Sequence, residues 1–398
     1  MSTHEFPVLM SGTDNVRLWA HEYEVEPAAL AQLRNIAKLP PVDRVSVMPD
    51  VHLGKGATVG SVIAMRDAVS PSAVGVDLGC GVAAVLTSLT ASDLPDDLAQ
   101  IRSRIEARIP TGFNMRERSV KLERLGLNKS KFDALWNASK NLHADVSTAL
   151  DTRAHRQLGT LGGGNHFLEV CLDSVGGVWL TLHSGSRNIG KELAERHITV
   201  AKGLPHNQDL PDRDLAYFMS GSAEMEAYLY DLRWAQDYAA RNREVMLAVF
   251  ESVVREFFPQ VTFGERISVH HNYVGTETVD GQEFIVTRKG AIRAGSGDMA
   301  MIPGSMGTGS YIVRGLGNPD SLFSASHGAG RKMSRSAAKR TFTVEDLAAQ
   351  TAGIECRKDQ GVVDEIPGAY KDLDSVIKAQ SNLVEVVAKL DTLLCVKG

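Results

Sequence analysis

Asp77 and Cys80 stand three residues apart in Val76-Asp77-Leu78-Gly79-Cys80-Gly81, a turn tight enough to bring a carboxylate and a thiolate to one ion. A hard oxygen beside a soft sulfur, with imidazoles supplied from elsewhere, suits a borderline divalent ion such as Mn²⁺, Co²⁺ or Zn²⁺, and does not suit Mg²⁺ or Ca²⁺. Taken alone, the same motif reads equally as a structural glycine turn with a buried cysteine. Among 12 histidines, His166, His183, His271 and His327 each sit beside Gly, Asn or Ser at the end of an apolar run, where a strand presents a side chain to a cleft. His4, His21, His143, His197 and His206 lack that setting and are expected to be structural or surface groups. Asp77, Cys80, His166, His183 and His271 make one carboxylate, one thiolate and three imidazoles, too many for one tetrahedral site. Two ions sharing the Cys80 thiolate account for the surplus, and paired ions are a recurring device of phosphoryl transfer. His270 competes with His271 for the ligand role, and spacing does not separate them.

Gly162-Gly163-Gly164-Asn165-His166-Phe167-Leu168-Glu169 offers a glycine loop, an imidazole and a carboxylate within eight residues. Consecutive glycines let backbone approach a phosphate or base, though a glycine triplet by itself is weak evidence of nucleotide binding. Pro303 to Ser310 is a second glycine loop, rich in hydroxyls; it lacks the Gly-Lys-Ser/Thr ending of a P-loop. His327, in Ser326-His327-Gly328-Ala329-Gly330-Arg331, has the setting of a nucleophile whose developing charge Arg331 and metals would offset; metal ligand and general base are the competing roles. Arg331, Lys332, Arg335, Lys339 and Arg340 put five cations within ten residues. Such a run is usually a solvated face, and beside phosphate chemistry it also reads as a track for RNA backbone.

These residues need rigid elements to position them. Helical spacing is found at Glu26 to Lys38, Pro95 to Arg108, Lys129 to Leu150 and, longest, Ser222 to Phe258, where Val245, Val249, Val253 and Phe257 form a stripe that Pro259 terminates. Strands are expected at Arg44 to Met48, Gly60 to Met65, Val82 to Leu86, Val178 to His183, Ile267 to His271, Glu283 to Thr287 and Leu383 to Lys397. Arg116 to Lys131 reads as an exposed basic flap, Ala294 to Ser310 as a glycine-rich loop, and Thr343 to Asp346 as a helix-capping signal. The chemistry is spread over the chain without repeat or linker, which points to one composite domain.

With 398 residues, 43% of them hydrophobic, and a net charge of −5, the chain has the composition of a globular enzyme. Any nucleic-acid contact must then come from a local patch. Met1 to Leu18 contains no uninterrupted apolar stretch, and no segment approaches the roughly 18 apolar residues of a membrane span, so a cytoplasmic protein is expected. The four cysteines are far apart, which disfavours a disulfide framework.

Pro49-Asp50-Val51-His52-Leu53-Gly54-Lys55-Gly56, Asp77 to Gly81, Gly164 to His166, His183 to Arg187, His271-Asn272, Pro303 to Thr308, His327 to Arg331 and Val396-Lys397-Gly398 together closely resemble the RtcB family of tRNA-splicing RNA ligases. The resemblance runs from near the start of the chain to its end, with Leu78, Val82 and Lys332 as small departures. It implies an α+β fold in which stacked β-sheets form a deep central cleft with helices outside, as one catalytic domain over residues 1–398. It implies two Mn²⁺ ions, with Asp77, Cys80 and His166 on one and Cys80, His183 and His271 on the other. It implies that His327 takes GMP from GTP, and that Asn165, His166, Phe167, Leu168, Glu169, His271, Asn272, Pro303, Gly304, Ser305, Met306, Ser310, His327, Gly328, Ala329, Gly330 and Lys397 hold the guanylate, with Tyr370 bordering the base. Asp50 would contact metal-bound water or RNA. The implied substrates are RNA ends bearing a 2′,3′-cyclic phosphate or 3′-phosphate and a 5′-hydroxyl. An archease-like activator and a monomeric state belong to the same expectation. Two other classes compete: a dinuclear metallophosphoesterase without nucleotide cofactor, and a non-catalytic RNA-binding relative.

Overall fold

The computed structural model describes residues 5–398, so His4 and the first residues of the N-terminal stretch lie outside it. Val59–Met65 and the first half of Gly81–Thr90 are buried on both faces, as continuous apolar runs must be when covered from two sides. Val59–Met65 lies within a six-stranded sheet, ordered Val8–Leu9, Val16–Leu18, Val42–His52, Val59–Met65, Gln282–Lys289 and Asn272–Val279. Gly81–Thr90 lies within an eight-stranded sheet, whose path runs Phe263–His270, Gly81–Thr90, Gly177–Ser184, Phe167–Asp173, Val384–Lys397, Ser310–Gly315 and Met299–Pro303. Glu355–Cys356 adds to that sheet in parallel with Val384–Lys397.

The two sheets stack. Met48, Val62 and Val286 of the first share an apolar core with Ile302, Tyr311 and Val313 of the second. On the strands Gly81–Thr90, Phe167–Asp173 and Gly177–Ser184 of the second sheet, Ala83, Val85, Val170 and Leu180 pack with Val245, Val249 and Phe250 of the helix Ala223–Phe257. That helix is 35 residues long, and Ser222 caps it by accepting from Met225 N. The fold is α+β, and the chain crosses from one sheet to the other at His271, between Phe263–His270 and Asn272–Val279. Among the described residues, no helix is long and apolar enough to cross a membrane.

Two expectations from sequence fail for identifiable reasons. The stretch from Lys129 to Leu150 is not one helix but two, Lys129–Ser139 and Thr148–Gln157. The buried Asp231 carboxylate accepts from His143 N and Ala144 N, both at 2.8 Å, and Ser147 caps a new start by accepting from Leu150 N. Within the expected loop from Ala294 to Ser310, Met299–Pro303 is a strand paired with Ser310–Gly315; its apolar residues find a partner strand that the flanking glycines obscure. The Thr343 capping box is present at the start of Val344–Gln350.

Candidate active site

The long helix anchors the turn that carries Asp77 and Cys80. Buried Arg243 donates to Gly79 O at 2.8 Å and to Ser184 O at 3.1 Å, joining this turn to the strand end that carries His183. Gly79 has φ of +67°, and a Cβ there would lie 2.7 Å from Gln236 Cα, so both conformation and packing require glycine. Asn242, one residue earlier on the helix, donates to Thr160 O and Gly185 O and fixes the approach to the glycine loop. Gly162, with φ of +94°, leaves no room for a Cβ beside the Arg187 guanidinium and His166 Nδ1.

His166 Nδ1 lies 2.8 Å from Leu161 O, and His183 Nδ1 lies 3.2 Å from Asn165 O. With the proton held on Nδ1 by a carbonyl, each ring turns its Nε2 lone pair inward, the orientation a metal ligand needs. Cys80 Sγ lies 3.5 Å from His166 Nε2 and 3.3 Å from His183 Nε2. His166 Nε2 lies 3.1 Å from Asp77 Oδ2, and His183 Nε2 lies 2.8 Å from His271 Nε2. Cys80, His166 and His183 have ligand atoms close enough together to hold a metal ion, with Asp77 next to His166 and His271 next to His183. His270 turns away, with Nδ1 2.8 Å from Gly79 O and 3.1 Å from Arg243 Nη2, which separates it from His271.

The electrostatics agree with a cation site. Burial, and then neighbouring His166, drives His183 well below the ordinary histidine range; burial, and then His327, does the same to His271. Both rings are therefore neutral, as ligation requires. Burial and the adjacent Asp77 push the Cys80 thiol up, so a cation would have to displace its proton. Burial also works to raise Asp77, but the hydrogen bond and charge of His166 bring it down to about 2.

His327 follows the short strand Ser324–Ser326 and faces the same cavity, its ring centroid 4.7 Å from that of His271. Its Nδ1 lies 2.6 Å from Oδ2 of Asp50, a fully buried residue on Val42–His52. Asp50 was expected at metal-bound water or RNA; its contact here is the His327 ring. Lys371 holds the strand on either side of Asp50, donating to Pro49 O at 3.0 Å and Val51 O at 2.8 Å.

The cavity between the sheets has a volume of about 660 Å³. Asp77, Cys80, His183, His271 and His327 line it, together with Asn165, Phe167, Asn272, Pro303, Gly304, Ser305, Met306, Gly328, Ala329, Gly330, Tyr370 and Lys397. Leu168 instead packs under the long helix, and Ser310 is buried beside Pro303 with its hydroxyl unpartnered. Glu169 is buried in the eight-stranded sheet opposite Cys395, and burial lifts it to about 7.

Sequence reasoning missed Glu365. It accepts from Tyr370 Oη at 2.7 Å and Lys397 Nζ at 2.9 Å, lies 3.4 Å from Arg331 Nη1, and pairs with Arg335. Arg335 also pairs with Asp364 at 2.8 Å, and Lys339 lies 3.5 Å from that carboxylate. Much of the basic run is thus neutralised by Asp364-Glu365, an acidic pair about 30 residues downstream with no local signal of its role. Lys289 was also missed; it lines the cavity, bonds Lys55 O, and is pushed down to about 8 by burial. Among the histidines expected to be structural, His197 is buried with Nε2 2.7 Å from Asp231.

The family model described as tRNA-splicing ligase RtcB matches residues 32–398. The chain belongs to the RtcB family. The RNA-splicing ligase RtcB of Escherichia coli K12 is 46% identical to it over 99% of this chain and 100% of its own length. The RNA-splicing ligase RtcB of Mycobacterium tuberculosis H37Rv is 34% identical over 92% of this chain and 100% of its own length. The tRNA-splicing ligase RtcB of Nanoarchaeum equitans is 30% identical over 96% and 95% respectively. Asp50, Asp77, Cys80, His166, His183, His271, His327, Glu365 and Lys397 all fall within the stretch matched by the RtcB family model.

Proposed function

We propose that the protein is a GTP-using, Mn²⁺-dependent RNA ligase that joins 2′,3′-cyclic phosphate or 3′-phosphate ends to 5′-hydroxyl ends through a guanylylated His327. One observation carries this reading: the Asp50-bound His327 ring opens onto the same cavity as the donor cluster centred on Cys80. The names of the similar proteins support RNA as the substrate.

The donor set fits metal. Asp77, Cys80 and His166 would hold one Mn²⁺ and Cys80, His183 and His271 a second; when bound, the pair would neutralise phosphate oxygens and align the attacking group. The chain's own residues do the rest. Asp50 keeps the His327 proton on Nδ1, so the Nε2 lone pair attacks the α-phosphorus of GTP, the Nε2–P bond forms, and pyrophosphate leaves. Asn165, Phe167, Asn272, Pro303 to Met306, Gly328 to Gly330 and Lys397 surround the guanylate. An oxygen of the RNA 3′-phosphate then attacks the guanylyl phosphorus and releases His327. The 5′-hydroxyl attacks the activated 3′-phosphate, the phosphodiester forms and GMP departs. A 3′-phosphate is a poor electrophile until it carries such a leaving group, which explains the use of GTP. Opening of a 2′,3′-cyclic end by water would precede this sequence.

The same reading takes the chain as one catalytic domain, because its proposed site residues extend from Asp50 to Lys397. It also takes the protein as a cytoplasmic monomer with room for an archease-like activator. Incubation with α-labelled GTP and Mn²⁺ tests the proposal. Acid-labile, alkali-stable label should be gained by the wild type and absent from His327→Ala. An unlabelled wild type that still hydrolyses phosphate esters would make the protein a phosphoesterase instead.

A further inference from the structure

Phe113 is fully exposed, on a loop that leads into the basic flap and that no step of the proposed reaction uses. The loop is nonetheless fixed. Leu161 N donates to Pro110 O at 2.9 Å, Gly112 N to Gly162 O at 2.7 Å, and Arg187 Nη2 to Gly112 O at 3.2 Å. Arg116 ties its far side by donating to Gly159 O at 2.6 Å. Backbone strapped to the glycine loop therefore holds a bare aromatic ring in water, and displaying it requires little further ordering.

The position of the ring relates it to the cavity. Gly163, Gly164 and Asn165 form an exposed lip, and Asn165 lines the cavity below. Gly112 packs against this lip, where a Gly163 Cβ would stand 3.7 Å from Gly112 Cα. Arg335 stands by the next glycine, its Nη2 3.2 Å from where a Gly164 Cβ would be. Behind Phe113, residues 116–131 carry six cations against two carboxylates in a chain of net charge −5, and only Lys129 among the six is paired with an acid beyond the flap, Asp133.

An isolated ring among charged and polar neighbours (Asn114, Glu117, Arg118) is not the contiguous apolar patch a protein partner needs. It does match single-stranded RNA, whose bases stack on aromatic faces while its phosphates follow cations. We propose that Phe113 and the flap behind it dock the single-stranded end of the RNA substrate, one nucleobase stacking on Phe113 as the strand crosses the Gly163–Asn165 lip into the cavity. This rests on the ligase reading for the identity of the substrate.

The test measures fluorescence anisotropy of a labelled, short single-stranded oligoribonucleotide with a 3′-phosphate, in parallel with GTP labelling of the same samples. Phe113→Ala should weaken binding by about tenfold, the scale of one lost base–aromatic stack, and Phe113→Trp should restore it. Thermal midpoint and guanylylation should match the wild type in both variants, because the ring touches no core. If Phe113→Ala binds RNA as tightly as the wild type, the proposal is overturned. Unchanged RNA affinity with lost response to an added protein activator would likewise overturn it, and mark the loop as a protein contact. Failure of every sample to take up label would reject the ligase reading alone, since the anisotropy still reports on the RNA surface.

Discussion

Asp50 Oδ2 lies 2.6 Å from His327 Nδ1, joining a buried carboxylate of the six-stranded sheet to the ring that follows the strand Ser324–Ser326. The second oxygen, Oδ1, has no hydrogen-bond partner and faces Gly60, 3.0 Å from where a Cβ would sit there. The pairing fixes the tautomer: with the proton at Nδ1, Nε2 carries the lone pair and is the only ring atom able to attack. The carboxylate also balances the positive charge the ring would take on once a phosphorus is bonded to it.

Asp50→Asn should therefore slow guanylylation by roughly 10²- to 10⁴-fold, because an amide can donate to Nδ1 and favour the wrong tautomer. Its metal content and thermal midpoint should stay near those of the wild type, since the amide is isosteric. Label incorporation at saturating GTP gives the rate. A variant that labels as fast as the wild type would show that Asp50 does not orient the nucleophile.

Cys80 lies between the two imidazole groups, 3.5 Å from His166 Nε2 and 3.3 Å from His183 Nε2. Cys80→Ser should lower the bound metal of both positions together, read as metal per protein after dialysis against Mn²⁺-containing buffer. Loss of one ion with full retention of the other would rule out the shared thiolate.

How much of this was legible in sequence follows from which interactions are local. The Asp77–Cys80 turn, the glycine loop and the cap at Thr343 each declare themselves within a few residues. The break near Asp145 did not, because its cause is Asp231, some 86 residues away, capturing the N–H groups of His143 and Ala144. His271 could not be told from His270 until the crossover between sheets was known, since one step along the chain reverses which side a ring faces. Glu365 was invisible for the same reason as Asp231: its role comes from cations at Arg331, Arg335 and Lys397, which only the fold assembles.

Glu365 gives a pH prediction. Burial alone would raise its carboxyl, but Lys397 and Arg335 hold it down to about 2. A depressed carboxyl adds stability that is complete above its unfolded value of about 4.3 and fades as pH falls toward about 2. Glu365→Gln should thus be less stable than the wild type at neutral pH by about 3 kcal/mol, the order expected for breaking a buried ion pair. The difference should shrink as the pH drops from about 4.3 toward about 2. Denaturant midpoints across that range read it directly. A gap that stays constant would mean Glu365 contributes packing and not charge.

Arg243 tests whether the long helix tunes the proposed metal site or merely supports the fold. It is buried, and its guanidinium bonds Gly79 O and Ser184 O, so one side chain sets the spacing between the Cys80 turn and the His183 strand. Arg243→Met keeps much of the aliphatic volume and removes the donors, so each carbonyl loses a charge-assisted hydrogen bond worth about 1.5–3 kcal/mol. Since these bonds orient the ligand-bearing backbone, Mn²⁺ affinity should fall by about 10- to 100-fold, measured by chelator competition well below the thermal midpoint. Phe250→Leu, on the same helix but in the apolar core, should lower stability with little change in Mn²⁺ affinity. Equal affinity loss in both variants would show that the metal site responds to global loosening, and that Arg243 has no positioning role of its own.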